Sequence, residues 1–286
     1  MSPGRGWVPI GPRLQRWVGR PVNVNCVLVT GDHRALLVDT GSTREEGLEL
    51  RQAVETQLEG RGLVVVNTHA HYDHCFGNAA FEDVDSFASR GCVNDLLGSG
   101  SAQRRLAAES FRANDPGFAD RLGSAPISVA HRLVDNSETL DLGGVRAELR
   151  VVGRGHTDHD LMVVLPELGA VLAGDLVEEG GLPALEDAYP LSWPRALAGL
   201  LELGTELVVP GHGRPVSPQF VAQQLEQLHR LAEWCRQQLE GGGSPAEYEG
   251  PFTSEHLKTA LERARIELQA GSARGEGAGP RSGPLP

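Results

Sequence analysis

Leu63-Val64-Val65-Val66-Asn67-Thr68-His69-Ala70-His71-Tyr72-Asp73-His74 runs from an unbroken apolar segment straight into three histidines and a carboxylate. Apolar residues in succession, without alternation, suit a strand buried on both faces. The polar cluster begins where that run ends, so its backbone is anchored on one side and free to present side chains on the other. A buried imidazole needs partners for both ring nitrogens, which makes three in six residues costly for an ordinary core. Neutral imidazoles with a carboxylate are the donors that zinc, iron or manganese prefer. In an extended or turning segment His69 and His71 point the same way, while Asp73 and His74 can swing past a first ion towards a second.

The same arrangement recurs along the chain. Asp39 ends Leu36-Leu37-Val38, Gly155-His156-Thr157 follows Val151-Val152, Gly174-Asp175 follows Val171-Leu172-Ala173, and Gly211-His212-Gly213 follows Val208-Val209. Glycine beside a donor lets backbone approach a crowded centre without a Cβ. Five of the ten histidines thus sit at strand ends beside glycine or acid. His33, His131, His229 and His256 lack such company and read as surface or capping residues. Cys75 reads as a small buried residue, and Tyr72 as a packing or rim residue.

Around these clusters the patterning alternates strands and helices. Residues 1 to about 20, rich in Gly, Pro and Arg, are expected to lie along the surface before the first strand. Val22 to Val29 and Ala35 to Val38 read as a hairpin turning at Thr30-Gly31-Asp32-His33. Ser42 or Thr43 caps a helix carrying Leu48, Leu50, Val54 and Leu58. Residues 91–122 read as helical, and Leu133 to Leu142, Val145 to Val152, Leu161 to Leu165 and Val171 to Ala173 as strands. Pro183, Pro190 and Pro194 break the next segment into a loop and a short helix near Arg195 to Leu203. Trp193 and Tyr189 are candidate walls of a substrate pocket there. After a last buried strand at Leu207 to Val209, Val221, Leu225, Leu228, Ala232, Cys235 and Leu239 mark one face of a long helix. The expected division is one domain over 1–240, a linker and C-terminal helix over 241–269, and a disordered tail over 270–286.

Composition narrows the class. Thirty-eight acidic residues against 26 basic ones give a net charge of -12, with no basic run to neutralise phosphates, so nucleic acid is not expected as a partner. No stretch approaches the roughly 18 to 20 apolar residues of a membrane span, and Met1 to Gly6 lacks a signal peptide's apolar core. Four scattered cysteines show no disulfide or CxxC pattern, so a reducing cytoplasm is the expected setting. Lys258 is the single lysine; arginine in its place, with abundant Gly and Ala, suggests a GC-rich bacterial genome.

On these motifs the chain resembles the metallo-β-lactamase superfamily, whose signature is an aspartate-ended strand, HxHxDH, a later histidine, a later aspartate and a final histidine. All five stand in order between residues 22 and about 216. The resemblance implies an α/β fold, an αββα sandwich with C-terminal helices, its metals at one edge. It implies His69, His71 and His156 on one metal, Asp73, His74 and His212 on the other, and Asp175 between them. Asp39 matches an aspartate that orients a ligand without binding metal.

Two divalent ions, zinc first with iron or manganese admitted, would share a water whose pKa falls from about 15.7 to about 7, giving a hydroxide nucleophile at neutral pH. Asp73 is the candidate catalytic carboxylate, orienting that nucleophile or relaying its proton. The implied activity is hydrolysis of a small-molecule ester, thioester, lactone or lactam. Asp175 stands where one lactamase subclass has cysteine and no lysine lies near it, which turns the resemblance towards the glyoxalase II-like branch. That branch reads GHTxGH where this chain has His156-Thr157-Asp158-His159-Asp160, a departure at His159 and Asp160. The alternative is a mono-iron, persulfide dioxygenase-like oxidoreductase, which keeps most of the same ligands.

Overall fold

The computed structural model describes residues 6–240 and 247–275. Twelve strands form two sheets. The first contains β1 (Val8–Gly11), β2 (Leu14–Val18), β3 (Asn25–Thr30), β4 (Arg34–Val38), β5 (Gly62–Val66), β6 (Asp85–Ser89) and β7 (Arg132–Val134), side by side in chain order. The second contains β8 (Ser137–Asp141), β9 (Arg146–Gly153), β10 (Asp160–Leu165), β11 (Ala170–Glu178) and β12 (Leu207–His212), ordered β12-β11-β10-β9-β8. Pairing is antiparallel from β1 to β4 and parallel from β4 to β7; in the second sheet only β11 and β12 are parallel.

Period-two alternation decides what each strand faces. Val27, Val29, Leu36, Val38, Val64 and Val66 turn inward and meet Leu149, Leu161, Val163, Leu165, Leu172 and Val209 of the other sheet. Leu28, Leu37 and Val65 point outward onto Leu50 and Val54 of α1 (Arg44–Leu58). Both faces are covered, so these strands read as continuous apolar runs. Thr43 is the N-cap of α1 and accepts from the Glu46 amide. Outside the second sheet lie α6 (Trp193–Leu201), α7 (Pro218–Glu240) and α8 (Ser254–Gly275), joined to Val164, Val171 and Val208 in one core. The one-turn α2 (Tyr72–Cys75) precedes β6, and α3 (Arg90–Gly98), α4 (Gly100–Phe111) and α5 (Pro116–Ser124) follow it. The αββα sandwich with C-terminal helices is thus the observed fold.

Three expectations change. The segment before residue 20 is not a surface approach: it forms β1 and β2 and buries Trp17. Pro9, Gly11 and Pro12 hide the strand signal, and these residues form an edge where proline is tolerated. The alternating stretch from Leu133 to Leu142 is two strands, because the chain leaves the first sheet after Val134 and enters the second at Ser137. Finally, the last helix continues through Gly275 instead of giving way to a tail at 270. The linker expected over 241–245 and the remainder of the tail, from 276, lie outside the described residues.

Candidate metal centre

The donor-bearing motifs gather at one edge of the sandwich, at or beyond strand ends except for Asp175, which stands within β11. The loop leaving β5 carries His69 and His71, α2 carries Asp73 and His74, the turn after β9 carries His156, and β11 and β12 supply Asp175 and His212. Donor atoms of His69, His71, His156 and Asp175 lie within 4.8 Å of one another, and so do those of Asp73, His74 and His212. His71 Nδ1 is 3.0 Å from His69 Nε2 and 2.9 Å from His156 Nε2. Asp175 joins the groups: Oδ2 is 3.5 Å from His156 Nε2 and 3.5 Å from His212 Nε2, and Oδ1 is 3.2 Å from His74 Nε2. His212 Nε2 lies 3.1 Å from Asp73 Oδ2. Gly211 is required here, since a Cβ on it would stand 1.7 Å from Asp175 Oδ1. Gly174, at φ +55°, faces Thr68 in the same way.

The outward nitrogens show which way the rings present their lone pairs. Asp39 accepts from the Thr68 amide (2.8 Å), from Thr68 Oγ1 (2.9 Å) and from His74 Nδ1 (2.8 Å). With its proton committed to Asp39, Thr68 Oγ1 accepts from His69 Nδ1 at 3.0 Å. His71 Nε2 donates to Asp187 at 2.8 Å and His212 Nδ1 to the Val22 carbonyl at 3.1 Å. Each of these four rings therefore turns its other nitrogen inward, the one a cation would take. His74 Nε2 and Asp175 Oδ1 are buried there without a hydrogen-bond partner. Lone pairs and carboxylate oxygens crowded at such distances repel one another unless positive charge lies between them, so the donor set fits cations.

Without a cation the rings divide: His69 and His156 are held neutral, whereas the neighbouring carboxylates raise His71, His74 and His212, whose extra proton a cation would displace. Burial and the imidazoles of His74 and His71 hold His69 well below its usual range, and burial brings His156 down to about 4, so both stay neutral donors. For His71, burial is outweighed by the hydrogen bond and charge of Asp187, which lift it to about 9. For His212, burial is outweighed by Asp175 and Asp73, which lift it to about 11. Asp175 is held well below the usual carboxylate range, burial being overcome by His74 and His212.

The structure brings together all seven residues expected as metal donors, with Asp39 beside them. Not expected were Asp187, which lies 116 residues from His71 in a loop with no motif of its own, and Thr68, whose hydroxyl relays Asp39 to His69. His159 and Asp160 have structural partners: His159 Nε2 accepts from the Ala70 amide at 3.2 Å while Nδ1 faces Asp158, and Asp160 accepts from the Thr157 amide at 3.0 Å. Trp193 is not a pocket wall. It is fully buried, donates to the Leu176 carbonyl, and sits 5.6 Å from the His156 ring as part of its floor. Tyr189 is half-buried against the guanidinium groups of Arg154 (4.9 Å) and Arg263 (5.3 Å). Cys75 is buried, as expected.

The family model of the metallo-beta-lactamase superfamily matches residues 19–212, more than half of the chain. A metallo-beta-lactamase type 2 from Bacillus sp. (strain 170) is 27% identical over 201 residues, 68% of this chain and 69% of its own length. Another, from Bacillus cereus, is 26% identical over 200 residues, with the same shares of each chain. Among solved structures, a metallo-beta-lactamase from Pontibacter korlensis superposes with a TM-score of 0.62 at 22% identity, covering 79% of this chain and 99% of that one. A stereoselective inverting sec-alkylsulfatase from Pseudomonas sp. superposes with a TM-score of 0.71 at 17% identity, covering 99% of this chain and 52% of that one. At such identities the superpositions speak for the fold alone.

Proposed function

The chain belongs to the metallo-β-lactamase superfamily, and from that premise we propose that it is a dinuclear metal-dependent hydrolase of a small carbonyl-type substrate: an ester, thioester, lactone or lactam. The carrying observation is the convergence of His69, His71, His156 and Asp175 beside Asp73, His74 and His212, with Asp175 reaching both groups. An all-nitrogen and oxygen donor set suits zinc and also admits iron or manganese. Divalent ions held there would supply hydroxide from water at neutral pH and polarise the substrate's carbonyl oxygen.

The chain's own part is orientation and charge. Asp39 holds His74 directly and His69 through Thr68, one ring of each group. Asp175 spans the two groups and keeps their separation. Asp73, its Oδ2 close to His212, is buried yet held ionised, burial being overcome by His74 and His212. It is therefore the carboxylate available to orient the attacking water and take its proton. The carboxylate at 175 and the absence of lysine near it favour the glyoxalase II-like branch, thioesters and lactones, while the curated relatives carry a lactamase name. Lys258, the only lysine, is exposed on α8.

Metal analysis of protein purified without chelator tests the reading. About two ions per chain, with oxygen-independent turnover of a chromogenic ester, thioester, lactone or lactam, is the expected result. One iron without zinc, together with oxygen uptake on a persulfide, would overturn it in favour of the oxidoreductase alternative.

A further inference from the structure

The family match ends at residue 212, yet a helix beyond it holds the loop that carries the partner of His71. Arg263 of α8 donates Nε to the Ala188 carbonyl at 2.9 Å and a terminal N–H to the Asp187 carbonyl. One turn on, buried Glu267 accepts from the Leu191 amide at 2.9 Å and from the Ser192 hydroxyl. Both ends of the 187–192 segment are thus tied to α8. That segment carries the carboxylate that receives His71 Nε2, and it is also tied to the His156 turn through the Tyr189 amide and the Gly155 carbonyl, 2.9 Å apart.

We propose that Asp187 is a positioning residue for His71, and that α8, through Arg263 and Glu267, holds it in place, so that the C-terminal helix completes the metal centre. The inference rests on the ligand reading above, in which His71 coordinates through Nδ1. Its physical basis is the geometry of the ring. Fixing Nε2–H on a carboxylate leaves Nδ1 unprotonated and aimed inward, and it makes the imidazole a stronger donor. The Asp187 side chain is half exposed. Without the α8 ties the loop would keep its short-range turns, the Tyr189 amide, the Arg154 contact on Tyr189 and the Arg236 bond to the Leu191 carbonyl, of which the last is at its far end from Asp187. His74, by contrast, has fully buried Asp39 for the same purpose.

The test strips wild type, Asp187→Ala, Asp187→Asn and Arg263→Met of metal and reloads them with cobalt(II). Affinity is read by chelator competition and ligand geometry by the visible absorption bands, with circular dichroism to confirm folding. Asp187→Ala should weaken binding at one site by about 10- to 100-fold and shift the bands. Asp187→Asn, whose amide oxygen still accepts the imidazole proton, should restore the bands and most of the affinity. Arg263→Met should shift the bands in the same direction as Asp187→Ala with a smaller loss. If wild type loads two ions and the Asp187 variants match it in bands and affinity, the positioning role is wrong while the ligand reading stands. If Arg263→Met alone matches wild type, α8 does not hold the carboxylate. If wild type loads no ion, the ligand reading and the inference fall together.

Discussion

The two donor groups are built from the same residue types but supported differently. His74 leans on Asp39, a carboxylate in the sandwich interior at the end of β4, in the left-handed conformation at φ +63°. Aspartate tolerates that region better than most residues, and its four-atom side chain then reaches both Thr68 and His74. His71 leans on Asp187, on a loop tied down by a helix far along the chain. One support is part of the core; the other depends on tertiary docking of a late element. Substitutions near Asp39 should therefore damage fold and metal binding together, whereas those near Asp187 should separate them.

Predictions can break that contrast, beginning with the largest effect. Asp175→Ala removes the carboxylate common to both groups. It should lower occupancy from about two ions to about one or fewer and abolish turnover, with far-ultraviolet circular dichroism unchanged; full activity would refute its bridging place. Asp39→Ala strips a partner from the Thr68 amide, the Thr68 hydroxyl and the His74 ring, and so loosens His69 through Thr68. It should weaken metal binding by about 10- to 100-fold and cost about 1–3 kcal/mol in urea denaturation for each buried group left unpaired. Equal stability to wild type would show that Asp39 is no more structural than Asp187.

Trp193→Ala empties the floor beneath His156 and should cost about 3–5 kcal/mol in the same measurement, with metal affinity falling less than for Asp39→Ala. A change in substrate preference at wild-type stability would return Trp193 to the role of a pocket wall. The smallest effect is that of pH on chelator-treated protein. His71 and His212, raised to about 9 and about 11, contribute stability fully present below the unfolded value of ~6.5 and lost as pH climbs through the folded values. Asp187, lowered to about 2, and Asp175 contribute stability present above ~4 and lost as pH falls. These are the same ion pairs viewed from either partner. Metal-free protein should therefore melt highest between about pH 4 and 6.5 and lower towards pH 9. Metal-loaded protein should gain over that alkaline step, because deprotonated ligands bind best.

Local signals carried the donors because each sits where an apolar run stops. A strand buried on both faces reads as continuous valine and leucine, and the first polar residues after it must lie at the sheet edge. Asp39, His69, His71, Asp73, His74, His156, Asp175 and His212 were all legible on that ground, while the two-sheet sandwich came from the family resemblance that these motifs carry. The signal failed where contacts depend on distant segments. Trp193 gives no local sign of whether it faces solvent or the core, and only α6 docking on β11 turned it inward. The crossing between sheets at Asp135-Asn136 interrupts a pattern that would suit one strand.

By itself the sequence determined the chemistry on offer, since residue type and strand-end position decide which atoms can meet a cation. The tertiary structure alone decided which nitrogen of four of the five rings points inward, because that follows from hydrogen bonds to Asp39, Thr68, Val22 and Asp187, three of which are 35 to 190 residues from the rings they hold.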